Sequence, residues 1–326
     1  MTQSTFVRAG NPFYSVKKFY HSKKKTIDKN IFVISFLIVP LICFCIFYIY
    51  VNIDSFAMAF KRIRTMPDQT IAEYWTFENF QIIGSKIGSS SGSMGDLGVA
   101  IVNTLLFNIV SLGLTLPVTT IVCYFITKKI LGYRFYRAIF YLPCIIASSA
   151  LVLLFKFALN GGGPLMVLFS DHGYIYPFSK MAPEGSAILT ILIYHFLFGI
   201  GGNLIVLGGA MRSVDPQMME AGQIDGCNWF QEFIYIILPS IWPTISTILI
   251  LSAAGFLGAS GPILAFTKGN YGTTTLSYYI YSLIAGADTT GVSKDLNLAS
   301  AIGLCMTAIS FPLALIVRKV VYGKEG

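Results

Sequence analysis

Six stretches of this 326-residue chain are apolar over about the length that carries a helix across a bilayer, roughly 20 residues, and nothing constrains its fold more. They run over 31–51, 99–127, 136–159, 187–207, 236–257 and 298–317. In hydrocarbon every backbone N–H and C=O must find its partner inside the segment, so stretches of this kind are read as helices. Composition agrees: 12% of the residues are charged, against about 25% in a soluble domain. The predicted fold class is an all-α polytopic membrane protein with about six transmembrane helices. The first stretch is longer than a signal-peptide core and has no small-residue cleavage site after it, so it is read as an uncleaved anchor.

Six spans put both termini on one side. With the N-terminus inside, 15 of the 23 Lys and Arg residues fall in cytoplasmic segments. They are seven in the tail 1–30, then Lys128, Lys129, Arg134, Arg137, Arg212, Arg318, Lys319 and Lys324. That asymmetry follows the positive-inside rule and predicts cytoplasmic N and C termini. The net charge of +8 is thus a topology signal, and membrane lipid, not nucleic acid, is the partner it implies. Lys61, Arg62 and Arg64 stand against the rule in the outer segment 52–98, where a short amphipathic helix on the surface would tolerate them. The Gly/Ser-rich piece from Gly84 to Gly98 reads as flexible. The six cysteines lie in or beside apolar runs without metal-type spacing and read as reduced, packed side chains.

Between the fourth and fifth spans lies a polar interval, DPQMMEAGQIDGCNWFQEFIYIILP, from Asp215 to Pro239. Asp215 suits a helix N-cap and Pro216 the first helical position, which predicts a short helix to about Ile224. Asp225-Gly226 reads as a turn with positive φ at the glycine. Asn228 and Gln231 have capping-box spacing for a second short helix, and Pro239 marks the start of the next span. The unit is rich in contact residues (Met218, Met219, Trp229, Phe230) and poor in catalytic ones. Without further information it reads equally as an ordinary amphipathic interfacial loop.

Glu220, Ala221, Gly222, Gly226, Ile236, Leu238 and Pro239, in that order and spacing, resemble the E-A-A signature of the membrane permease subunits of ABC importers. These are the inner-membrane components of binding-protein-dependent transport systems. Asp225 before Gly226 points to the carbohydrate, maltose-type branch; Gly222 departs from the pattern, which has a second Ala there and would lose up to about 1 kcal/mol of helix propensity. Asn103-Thr104-Leu105, Leu142-Pro143 and Phe266-Thr267-Lys268-Gly269 with Thr275 and Tyr278 extend the resemblance from about residue 100 onward. It implies a basic cytoplasmic tail (1–30), a transmembrane permease domain (31–322) and, within that, a cytoplasmic E-A-A coupling loop (210–239) whose first helix is the coupling helix. The implied partners are two ATP-binding subunits, a second homologous permease and an extracytoplasmic solute-binding protein. Glu220, Ala221, Gly222, Asp225, Gly226, Met218, Met219 and Trp229 would then face the ATPase.

The chain has no G-x-x-x-x-G-K-[ST], so no cofactor is expected on it; ATP and Mg would sit on the partner subunits, and the chain itself is not expected to be an enzyme. No Asp or Glu falls inside the six predicted spans, which disfavours a proton-coupled carrier. Two polar exceptions are His195, read either as an imidazole bonded to a neighbouring helix or as a substrate contact, and Lys156, expected to snorkel outward. Tyr194, His195, Asn203, Ser148, Ser149 and Asn160 are the candidates for lining a polar sugar path. The expected function is a permease subunit moving a sugar or oligosaccharide across the membrane with ATP. Alternatives are another solute (peptide or amino acid), a secondary transporter without an ATPase, or an enzyme on lipid-linked sugars, for which no acidic or metal-binding cluster is found.

Overall fold

The computed structural model describes residues 32–65, 71–88, 97–160, 163–164, 167, 175–286 and 293–323. The basic tail 1–30 and Lys324 lie outside them. In chain order the elements are α1 (Phe32–Ala59), the hairpin β1 (Lys61–Thr65) and β2 (Ile71–Trp75), and α2 (Glu78–Gly88). Then come α3 (Leu97–Thr127), α4 (Tyr133–Ile145), α5 (Ser148–Leu159) and α6 (Ser186–Arg212). The last are α7 (Pro216–Ile224), α8 (Trp229–Ala254), the short α9 (Ile263–Phe266), α10 (Leu276–Ala285) and α11 (Leu296–Tyr322). The chain divides after Ala57, so most of α1 forms one unit and everything from Met58 a second. Among the described residues five helices are long and apolar enough to cross a membrane, and α4 with α5 make a sixth span if counted together.

Hydroxyl side chains are accommodated in these apolar helices by bonding back to their own backbone. Thr119, Thr120 and Thr127 of α3 donate to the carbonyls four residues earlier at 2.7–2.9 Å. Two long helices widen into a π turn just before a proline: α3 at Ile109–Thr115 before Pro117, and α8 at Phe233–Ile237 before Pro239. A proline ring clashes with the carbonyl four residues back and offers no N–H, and a wider turn relieves both.

Four expectations are corrected. Lys61, Arg62 and Arg64 lie in a strand, not an amphipathic helix; β1 pairs antiparallel with β2, with Lys61 opposite Trp75. Asn79 of α2 fixes this hairpin, donating to Ala59 O and Lys61 O at 2.9 Å while its own oxygen accepts from Arg62 at 2.8 Å. The Gly84–Gly98 piece is helical at both ends, through Gly88 and from Leu97, and its middle lies outside the described residues. The stretch 136–159 is two helices bent by 107° at Ile146-Ala147, which are extended; Pro143 stands inside α4, not at the start of a span. Finally, Lys156 does not snorkel. Its ammonium donates to Phe266 O at 2.9 Å, satisfying a carbonyl left open at the end of α9. Of the cysteines, Cys123 is buried as expected, whereas Cys43, Cys45 and Cys144 are exposed.

The second unit is held by three apolar clusters. One lies among α3, α6 and α8 around Tyr124, Leu207 and Ile241; a second is aromatic, around Phe107, Tyr194 and Phe266; the third joins α3, α10 and α11. Close approach is made by Gly201 of α6, where a Cβ would run into the backbone carbonyl of Phe140 in α4. At the N-terminal end of α3, Asn103 donates to Gly272 O and Thr274 O at 2.7 and 2.8 Å, and Thr104 accepts from the Leu276 N–H at 3.0 Å. Those bonds fasten the turn between α9 and α10, where Lys268 and Tyr271 hold positive φ without being glycine. The residues of the Asn103-Thr104 pattern and of the Thr267–Thr275 pattern are therefore one structural feature.

Candidate functional site

At the end of the bundle opposite that turn, α6 and α8 are joined by a compact knob built on α7. Asp215 is extended and its carboxylate accepts the Gln217 N–H at 2.9 Å, so α7 begins where a free amide is satisfied. Val214 before the cap and Met219 at the fourth helical position pack in the same apolar cluster, as in a hydrophobic staple. The other end is closed by a Schellman motif: Gly226 has φ +82°, its N–H donates to Gln223 O at 3.2 Å, and Cys227 N–H donates to Gly222 O at 2.9 Å. Asn228 and Gln231 then form a capping box, each accepting the other's backbone N–H at 2.9–3.0 Å. The second helix is not separate, however. It runs from Trp229 straight into the span as α8, so Pro239 lies well inside the helix.

The knob presents one face outward. Met218, Glu220, Ala221, Asp225 and Gly226 are exposed, and among the described residues none beyond its chain neighbours lies within 4 Å of where a Gly226 Cβ would stand. Ile224 is 87% exposed beside Met218 at 50%. Sequence reasoning passed over Ile224 because an isoleucine in an amphipathic helix is ordinarily core; its signal was its place in the last turn before the glycine. Gly222 faces the other way. It is buried, and a Cβ there would meet the end of the Ile236 side chain, Cδ1, at 2.5 Å, so the pattern's second alanine would require that side chain to shift. Trp229 is half exposed, with its ring against Phe125 at 5.5 Å and Phe230 at 5.6 Å.

Two charged residues that the sequence did not single out together meet behind the knob. Glu232 is 2% exposed, and its Oε2 accepts from Lys128 Nζ at 2.6 Å. Because α8 begins at Trp229 and not at 236, this carboxylate lies inside a spanning helix, which corrects the expectation that the spans hold none. Burial pulls the Lys128 ammonium down, but hydrogen bonds to Glu232 and Tyr124 outweigh it and hold its pKa above the ordinary lysine range. Tyr124 also donates to Trp229 O at 3.3 Å, and its ring packs on Phe233 at 5.3 Å.

The six path candidates are not brought to one place. Tyr194 is buried among Phe155, Phe198 and Phe266, with Ser148 as hydrogen-bond partner. His195 stands edge-on to Phe107 at 5.3 Å. Ser149 and Asn160 are exposed, at opposite ends of α5. Asn203 lines a separate open groove of about 690 Å³ with Thr244, Thr247 and Ser252 of α8.

Residues 99–322 match the family described as binding-protein-dependent transport system inner membrane component, and the chain belongs to that family. It is a multi-pass component of the cytoplasmic membrane that serves a solute-binding protein. Among its relatives, the multiple sugar-binding transport system permease protein MsmF of Streptococcus mutans is 27% identical over 251 residues, 76% of this chain and 82% of that protein. The sn-glycerol-3-phosphate transport system permease protein UgpA of Pectobacterium atrosepticum is 26% identical over 224 residues, 67% and 75% of the two chains. A bacterial ABC transporter involved in the import of the acidic polysaccharide alginate shares the fold, with a TM-score of 0.73 at 22% identity over 92% of this chain and 98% of that one.

Proposed function

We propose that this chain is a permease subunit of an ATP-driven importer for a sugar or oligosaccharide, and that the α7 knob is where ATP hydrolysis is felt. The observation that carries the reading is the outward face of α7: two exposed apolar side chains beside Glu220 and Asp225, on a helix capped at both ends and too short to hold a catalytic site. A rigid, exposed, mixed apolar and acidic surface suits a protein partner better than lipid, since lipid offers the carboxylates nothing. Two ATP-binding subunits carrying ATP and Mg would supply that partner, with the knob and both termini in the cytoplasm. Glu220 and Asp225 make polar contact, Met218, Ala221, Ile224 and Trp229 fill the docking surface, and Met219 and Gly222 hold the helix in place behind it. A second homologous permease would complete the path. The sugar names among the relatives favour a carbohydrate, and the glycerol phosphate permease keeps the substrate class at polyhydroxylated solutes. The chain itself would perform no catalysis.

The test is Gly226→Asp. Aspartate tolerates left-handed φ better than most residues, and among the described residues none beyond the chain neighbours lies within 4 Å of the new Cβ, so the protein should fold and insert normally. In the intact complex the variant should keep ATP hydrolysis while solute uptake falls at least tenfold. Normal uptake by Gly226→Asp would remove α7 from the docking role.

A further inference from the structure

Lys128 and Glu232 are 104 residues apart in sequence, and their meeting joins the end of α3 to the start of α8. Each charge complements its own helix: Lys128 caps the C-terminus of α3, and Glu232 lies in the first turns of α8. The rest of the contact, Phe125 on Trp229, Tyr124 on Phe233 and the Tyr124 hydroxyl on Trp229 O, is uncharged. A buried ion pair is a poor way to add adhesion and a good way to fix orientation, because its geometry is directional while apolar packing is not. Among the described residues Glu232 Oε1 has no hydrogen-bond partner, so there the carboxylate is held through Oε2.

The consequence follows along α3. Its far end holds the α9–α10 turn through Asn103 and Thr104, and its 31 residues span roughly 46 Å. At the near end the knob is continuous with α8 through the capping box, and α8 is clamped to α3 by the ion pair. We infer that Lys128 and Glu232 are positioning residues that make the knob and α3 move as one lever, so that a push on α7 shifts the Thr267–Leu276 turn at the opposite face of the membrane. This rests on the reading of α7 as the docking element for an ATPase.

The experiment uses the whole complex as purified with its ATPase subunits. The chain's six cysteines are replaced, and Lys268→Cys, exposed in the far turn, is labelled with a fluorescent maleimide with and without ATP, Mg and orthovanadate. The parent should show a several-fold change in labelling rate on adding nucleotide. Glu232→Gln and Lys128→Gln should reduce that change to about onefold, and Lys128→Arg should keep it. A Lys128→Cys/Glu232→Cys pair gives an independent arm, with turn accessibility then read by proteolysis at the native Lys268. It should lose the nucleotide response and recover it once the two thiols are joined by a bifunctional cross-linker. An unresponsive parent, a full response in Glu232→Gln, or a cross-link that fails to restore it would each overturn the lever. Gly226→Asp separates the two ideas. Should it abolish the response while Glu232→Gln leaves it whole, only the lever falls; should it leave the response whole, the docking reading itself falls.

Discussion

Gly226 sits at φ +82° as the left-handed residue of a Schellman motif, with open space around it. Gly226→Ala should therefore cost only the backbone term, about 1–2 kcal/mol, measured as lowered thermal stability of the detergent-solubilised protein. Asp215→Ala removes one N-cap acceptor and should cost about 1 kcal/mol, seen as faster hydrogen exchange at the Gln217 amide. Lys128→Met leaves Glu232 buried without its cation. Breaking such a pair costs about 3–5 kcal/mol when fully buried, and the lower end applies here because the Lys128 side chain is 25% exposed. The pH dependence has a definite sign. A lysine raised in the folded state contributes fully below the ordinary lysine value of about 10.4 and loses its contribution above it. The stability gap between the parent and Lys128→Met should thus be flat through neutral pH and narrow in strong alkali, as pH rises through the raised folded value. At this scale Asp215, Gly226, Asn228 and Gln231 were all legible, since capping and positive φ are local chemistry. The Lys128–Glu232 pair was not, because it joins residues whose proximity only the tertiary fold determines.

Among the elements, the apolar helices follow directly from composition, but their ends and angles do not. Hydropathy placed the start of the fifth span at 236, whereas the capping box starts α8 at Trp229; the local signal outweighed the window average. The 107° bend between α4 and α5 is invisible to hydropathy, because Ile145, Ile146 and Ala147 are as apolar in a bend as in a helix. The hairpin was missed for a different reason: Lys-Arg-Ile-Arg-Thr shows charge, and its strand character depends on the pairing with Ile71–Trp75. Gly201 tests how tightly α4 and α6 are packed. Gly201→Val should push the Phe140 carbonyl away and cost about 1–3 kcal/mol, lowering the melting temperature, while Gly202→Val, with nothing within 4 Å, should be tolerated.

At the scale of the second unit, polar fastenings hold both ends of α3, and along the length between them apolar packing is joined by Asn108 donating to Phe256 O at 2.6 Å and Thr119 to Ile200 O at 3.3 Å. That distribution suits a transport component: the bundle can shift while its two working ends stay attached to a common rod. The family was legible in the Glu220–Pro239 pattern because caps, turn and proline recur at fixed spacing. The path was not, because Tyr194 and His195 stand at the aromatic cluster of Phe107 while Asn203, on the same helix, lines a separate groove. The central claim is that α7 docks an ATPase, and the most direct measurement is gentle purification of a tagged chain from its own membranes, followed by mass spectrometry of what accompanies it. Two copies of an ATP-binding subunit and a second permease are the expected companions, and Met218→Glu should weaken retention of the ATP-binding subunits. A chain that purifies alone, and still carries solute when reconstituted by itself, would contradict it.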